Sequence, residues 1–190
     1  MTGATPGRAA LDPDALVPAL PPTGLVVLVG VAGVGKSTFA AGRFAPADVL
    51  SSDALREVVA GDAADQRATK VAFTILHREV RRRLAAGRLV VVDATNVERH
   101  ARLALVRLAR AAAVPAVAIV LVAEPATIHA RNAQRAGRIV PAEIVDRHLA
   151  ALARLGDDPA AVAAAIRLEG FAAVHLVATG PPGPLSDGRS

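Results

Sequence analysis

The feature that most narrows the folds open to this chain is the stretch from Val26 to Ala40, "VVLVGVAGVGKSTFA". Gly30, Gly35, Lys36 and Ser37 fall on the spacing G-x-x-x-x-G-K-[ST], behind an apolar run of strand character and ahead of a helical pattern. Glycines let the chain curl so that successive amide N–H groups point inward at an anion, and the following helix adds its N-terminal partial positive charge. The spacing therefore predicts a phosphate-binding loop over Gly33, Val34, Gly35, Lys36, Ser37 and Thr38. Lys36 would reach the β- and γ-phosphates of a nucleoside triphosphate, and Ser37 would offer its hydroxyl to Mg²⁺. The competing reading is a glycine-rich turn with a surface lysine. The strand before the turn and the helix after it favour the first.

Downstream, β-rich apolar runs alternate with helical patterns: "LVVLVG", "DVLSS", "RLVVVDAT", "PAVAIVLVA" and "AAVHLVA". Strands apolar on both faces and separated by helices argue for an α/β fold, a parallel sheet of about five strands with helices on each side. Five prolines among the first 22 residues exclude a long helix there. The chain divides into a flexible leader (1–23), one domain (24–178) and a tail (179–190). With 190 residues and 53% hydrophobic content, one domain can bury about 70% of the surface its unfolded form exposes. No cysteine is present and the five histidines lack ligand spacing, so no disulfide or structural zinc is expected. No apolar run reaches the roughly 20 residues that span a bilayer, and no secretory signal is evident. The expected location is cytoplasmic, with no membrane and no obligate protein partner.

The net charge of +5 invites a nucleic-acid partner. Two of the 22 basic residues are lysines (Lys36, Lys70) and the other 20 are arginines, and the four phenylalanines are the only Phe, Trp or Tyr residues. Such a chain has little with which to stack unpaired bases. Between Asp65 and Ala86, Phe73, Leu76, Val80 and Leu84 form one helical stripe, with His77 at its edge and Gly87 as terminator. Arg78, Arg81, Arg82 and Arg83 fall largely off it, as a solvated face or, alternatively, an acceptor-binding patch.

Three further places carry candidate chemistry. Asp93 ends the run "LVVVDATN" at the sheet edge where α/β proteins bind ligands, so it can orient water on Mg²⁺. Alternatively, Asp93 or Asn96 caps a helix starting near Val97. In "VLSSDALREVV", Ser52 and Asp53 follow the second strand, with Arg56 a turn further on the same face. A carboxylate there can accept the proton of an attacking hydroxyl while Arg56 holds the acceptor. A helix cap followed by a surface arginine is the plainer alternative. In "HARNAQRAGRIVP", Arg131, Arg135 and Arg138 recur on what begins as a helix and breaks at Gly137. Three guanidinium groups on one helical face suit a lid closing over a triphosphate, or a solvated face.

Taken together, "GVGKSTF", "SSDALR", the "DQ" at Asp65–Gln66, "GRLVVVDATNV", "ARNAQRAGR" and "EGF" resemble the P-loop kinase domain of bacterial polynucleotide 5′-hydroxyl kinases. The resemblance spans about Leu25 to Val177. It implies a P-loop NTPase-type sheet with a helical, arginine-bearing lid, and Mg²⁺ with ATP or GTP as phosphate donor. It also implies Asp53 as general base, Arg56 on the acceptor side, Arg131 and Arg135 as lid arginines, and Arg138 at a third lid position. The expected reaction is phosphoryl transfer to an alcohol, with a 5′-OH end of RNA or DNA as leading acceptor. The same architecture recurs in small-molecule kinases, so a sugar or ribosyl hydroxyl of a metabolite or nucleoside antibiotic, as in a resistance enzyme, is the alternative. A nucleotide-binding switch that passes phosphate only to water is the reading from another class. The phosphatase and ligase domains commonly fused to the repair kinase have no counterpart in this length.

Overall fold

A computed structural model of the chain describes residues 20–60, 66–135 and 139–180. Five strands form one all-parallel sheet in the order β2-β3-β1-β4-β5. They are β1 (Gly24–Val29), β2 (Val49–Ser51), β3 (Leu89–Asp93), β4 (Ala116–Val122) and β5 (Ala173–Ala178). Each matches one of the apolar runs read from the sequence. The helices are α1 (Lys36–Arg43), α2 (Ser52–Ala60), α3 (Gln66–Ala85), α4 (Arg99–Ala111), α5 (Pro125–Ala133), α6 (Ala142–Ala153) and α7 (Pro159–Arg167). This is the α/β P-loop NTPase-type fold expected from the opening motif. Among the described residues no helix is long and apolar enough to cross a membrane.

Strand alternation explains why the central strands carry hardly a polar residue. Leu25, Val27 and Val29 of β1 point to one layer, with Val90 and Val92 of β3 and with Leu76, Val80 and Leu84 of α3. Val26 and Leu28 point to the other, with Val91, Ile119, Leu121 and the helical residues Ala40, Ile128 and Val145. A strand covered on both faces by helices gains from apolar side chains at every position. All six residues of β1 are buried accordingly.

The helices show where local reading succeeded and where it did not. α3 buries Leu76, Val80 and Leu84, with Phe73 and His77 half-buried beside them, and Gly87 closes it in the left-handed region (φ 69°). Its arginine run is largely a solvated, ion-paired face: Arg82 and Arg83 both bind Glu79. Arg83 also donates to the Ala47 carbonyl just before β2, which lies at the sheet edge opposite the phosphate loop. The acceptor-patch alternative is not what this placement supports. α4 begins at Arg99 with Glu98 at its N-cap, so neither Asp93 nor Asn96 caps it. Asn96 instead takes a left-handed conformation (φ 49°) and donates its amide to the Leu28 and Ala94 carbonyls. The "HARNAQRAGR" helix ends at Ala133, so Arg131 is helical and Arg135 lies beyond the C-cap Gln134. The expected single helical face of three arginines is thus corrected. Asp65 and Arg138 lie outside the described residues, as does the side chain of Gln66.

Candidate functional site

The loops that follow β1, β2 and β3 and the helix that follows β4 leave the carboxyl ends of their strands, so the parallel sheet gathers their candidate residues on one edge. Arg135 joins them from beyond the C-cap of α5. They surround a cleft of about 1070 Å³, at the upper end of volumes that hold a small ligand or cofactor.

The phosphate loop joins β1 to α1. Gly33 and Gly35 stand at φ 85° and 101°, which L side chains rarely adopt. Gly33 is also a contact point: a Cβ there would lie 2.6 Å from the Ile128 carbonyl of α5. Gly33→Ala is therefore expected to lose about 2 kcal/mol, mid-range for a residue held in a strained backbone conformation. For a domain of this size the melting temperature should fall by about 4–8 °C. A melt within a degree of wild type would show that the loop packs less tightly against α5 than these distances require.

Lys36 folds back over the loop, donating from Nζ to the Gly30 and Val31 carbonyls, both at 2.9 Å. Burial pushes its ammonium down to about 8, with nearby Arg135 adding to the shift and Asp93 opposing it. Ser37 donates from Oγ to Asp93 Oδ2 at 2.7 Å, joining the start of α1 to the end of β3. Thr38 lines the cleft beside them. Val34 is buried and contributes its carbonyl, which accepts from Thr179 Oγ1 at 2.7 Å.

Ser52 and Asp53 open α2, and the Ala54 amide reaches Ser51 Oγ at 3.4 Å, so the capping oxygen belongs to Ser51 rather than Asp53. The Asp53 carboxylate is exposed in the cleft. It pairs with Arg56 through Oδ1 and with Arg135 Nη2 through Oδ2 at 3.5 Å. Arg56 also reaches the buried Ser52 hydroxyl at 3.5 Å. Arg131 donates to Thr179 Oγ1 at 3.2 Å and to the Gly180 carbonyl, and its Nη1 lies 3.8 Å from where a Cβ on Gly35 would be.

Beside the residues expected from the sequence, the structure brings Thr179, Gly180 and His148 to the cleft, and Asn132 stands behind Gly33 outside its lining. Thr179 and Gly180 belong to the segment set aside as a tail, yet Thr179 ties β5 to both the phosphate loop and Arg131. Asn132 brackets the turn to α6, its amide donating to the Val140 carbonyl at 2.7 Å and its Oδ1 accepting from the Val140 amide at 3.2 Å. His148 of α6 lines the cleft. A lone threonine, asparagine or histidine gives no spacing signal, and only the fold assembles them.

The donor set fits a magnesium-bound polyphosphate. A hydroxyl and a carboxylate converge as Ser37 and Asp93, and both are hard oxygen donors. Among the described residues no group of three or more His, Asp or Glu side chains gathers as a cation cage. An ion held by the Ser37 and Asp93 oxygens would complete its shell with its substrate's phosphates. The glycines and the α1 N-terminus supply the anion cradle.

The fold and this cleft define a P-loop NTPase-type α/β protein. The chain belongs to the AAA domain family, whose model matches residues 25–155. Among curated proteins none matches it. Several solved structures share the fold at low identity. A sugar kinase from Janibacter sp. HTCC2649 is 20% identical with a TM-score of 0.55, covering 84% of this chain and 88% of that one. A chain of the Pnkp1/Rnl/Hen1 RNA repair complex is 19% identical with a TM-score of 0.60, covering 72% of this chain and 46% of that one. Chaetomium thermophilum Kti12, in complex with ADP-AlF3, is 18% identical with a TM-score of 0.56, covering 81% and 88%.

Proposed function

We propose that this protein is a Mg²⁺-dependent kinase that transfers the γ-phosphate of ATP or GTP to an acceptor hydroxyl, with a 5′-OH end of RNA or DNA as leading acceptor. The observation that carries this reading is the second charged group in the cleft. Asp53 with Arg56 faces the phosphate loop, at an edge where a protein that passes phosphate only to water has no need of them. Ser37 and Asp93, the latter through water, are the residues that would hold Mg²⁺, whose charge would offset that of the β- and γ-phosphates. Lys36 leaves the Gly30 and Val31 carbonyls for phosphate oxygens, and the loop amides over 33–38 hold the rest of the chain. Asp53 accepts the hydroxyl proton, and Arg56 with Ser52 orients the acceptor. Arg131 and Arg135 bear on the transferring group, where planar guanidinium forks match phosphoryl oxygens.

Fold relatives include an RNA repair complex and a sugar kinase, so the acceptor is decided by experiment. Labelled ATP and GTP are incubated with 5′-hydroxyl oligonucleotides, nucleosides and simple sugars. The expected result is labelling of oligonucleotides with weak sequence preference, and an acceptor KM that rises steeply with salt. For single strands the slope is about 0.7 per phosphate contacted, so three contacts raise KM roughly 18-fold between 50 and 200 mM salt. A small neutral acceptor has no such phosphates and a nearly flat KM. Turnover of a small hydroxylated molecule without labelling of any oligonucleotide transfers the assignment to the small-molecule reading. ATP hydrolysis indifferent to every acceptor favours the switch.

A further inference from the structure

A second cavity, of about 240 Å³, lies between α3 and α4 and has no part in the scheme above. Phe73 and His77 of α3 line one side, their rings edge to face with centroids 6.4 Å apart, and Ala101 and Ala104 of α4 line the other. The buried Leu76 and Leu105 complete the apolar lining. Its walls continue those of the main cleft. Thr69 lines the cleft, and Phe73 and His77 follow it on the same face of α3, each about one helical turn of 5.4 Å further on. Ala94 and Thr95 also line the cleft, and the next residue, Asn96, lines the second cavity. The two cavities therefore share the turn after β3 and the near face of α3, the helix that packs against Asp53-bearing α2.

The lining decides what such a cavity can take. None of its residues is Asp, Glu, Lys or Arg, so nothing there answers the charge of a phosphate. Burial holds the His77 imidazole below its usual range, with Arg81 adding to the shift, so the ring is neutral as well. A sugar would surrender its hydration to alanine and leucine walls without repayment. Of the parts of a nucleotide, only the base is uncharged, with apolar faces and a polar edge. Asn96 gives its amide to the Leu28 and Ala94 carbonyls, and its Oδ1 is neither sealed from solvent nor hydrogen-bonded among the described residues. That oxygen and the two histidines are the groups left for such an edge. The volume falls below the roughly 300–1,000 Å³ of sites that take a whole small ligand, so it suits one ring system attached to something held elsewhere.

Resting on the kinase reading and its polynucleotide acceptor, we propose that this cavity is the subsite for the base of the acceptor's 5′-terminal nucleoside, seated between Phe73 of α3 and Ala104 of α4 while the 5′-hydroxyl reaches Asp53. A subsite of this kind grips a base by its faces. It separates a nucleoside from an abasic end and chooses little among the four bases, in keeping with the weak sequence preference expected above.

The test compares acceptor KM for a 5′-hydroxyl oligonucleotide and for the same oligonucleotide with an abasic first residue, at saturating labelled ATP or GTP with Mg²⁺. Stacking of one base on an aromatic side chain shifts affinity by roughly 5- to 140-fold, so removing the base should raise KM about tenfold in the wild-type protein. Ala104→Phe fills the cavity with a ring of its own. In that variant the intact oligonucleotide should show the raised KM of the abasic one, and removing the base should then cost less than about twofold, because the two changes strike the same contact. Titration with ADP and Mg²⁺ reports that the variant is folded, and the wild-type comparison needs no variant at all. Equal KM for the two oligonucleotides in the wild type, or a tenfold base effect that survives Ala104→Phe, overturns the proposal and leaves the kinase reading standing. A wild-type protein that labels no oligonucleotide overturns the polynucleotide acceptor and this subsite together, an outcome distinct from labelling that ignores the base.

Discussion

Asp53→Asn is expected to lower turnover by about 10²- to 10⁴-fold when chemistry limits the rate, the usual cost of removing a general base. Nucleotide affinity should be no weaker than in wild type. The two outcomes separate a proton acceptor from a structural residue. Asn keeps the shape of the side chain and loses only its charge and basicity. The structure sharpens the expectation, because both carboxylate oxygens are engaged, Oδ1 by Arg56 and Oδ2 by Arg135 at 3.5 Å. If Arg135 serves the transferring phosphate, it leaves Oδ2 as the nucleotide enters and exposes that oxygen to the acceptor hydroxyl. Neutralising Asp53 removes the partner that competes for Arg135, so nucleotide binding is helped or unchanged while the proton has no acceptor. A variant that keeps more than about a tenth of the wild-type rate removes Asp53 from the role of base. A variant that loses nucleotide binding along with turnover places Asp53 in the architecture of the phosphate side.

The parts legible in the sequence are those specified by neighbouring residues. The phosphate loop is local: glycine at 33 and 35 answers a demand on φ within the same turn, and Lys36 and Ser37 follow immediately. The strands are equally local, because a strand buried on both faces is apolar along its whole length. What escaped is what depends on contacts distant along the chain. The Thr179–Val34 and Arg135–Asp53 contacts each join segments that no periodicity connects. Residues three and four apart share a helical face, so the spacing predicts one arginine-bearing face, but α5 stops at Ala133 and Arg135 reaches Asp53 from beyond its end. Asn96 has the composition of a helix cap and serves instead to hold the turn after β3 against the Leu28 carbonyl.

The most consequential of those distant contacts is expected to be Arg102 with Glu169, and Glu169→Ala should destabilise the protein by about 3–5 kcal/mol, the cost of stranding one member of a buried pair. Arg102 is completely buried, yet it has a partner for each of its guanidinium nitrogens. Nε and Nη2 form a two-pronged pair with Glu169, each at 2.7 Å, while Nη1 donates to the Asn96 and Val97 carbonyls at 3.0 and 2.6 Å. The pair therefore links α4, the segment ahead of β5 and the turn that follows Asp93. Arg99, largely exposed, reaches Glu169 only at 3.9 Å and cannot replace Arg102 as its partner. At about 2–4 °C per kcal/mol for a domain of this size, the melting temperature of Glu169→Ala should fall by roughly 6–20 °C. Replacing both members by apolar residues of similar volume, Arg102→Met with Glu169→Leu, removes the stranded charge and should recover part of the loss. Recovery should be incomplete, because the Asn96 and Val97 carbonyls lose their donor and each buried acceptor left bare costs about 1–3 kcal/mol. A Glu169→Ala protein that melts within two degrees of wild type would mean that solvent reaches the Arg102 guanidinium. Full recovery in the double variant would mean that the two carbonyls find other donors, and that the turn carrying Asp93 is not held by this arginine.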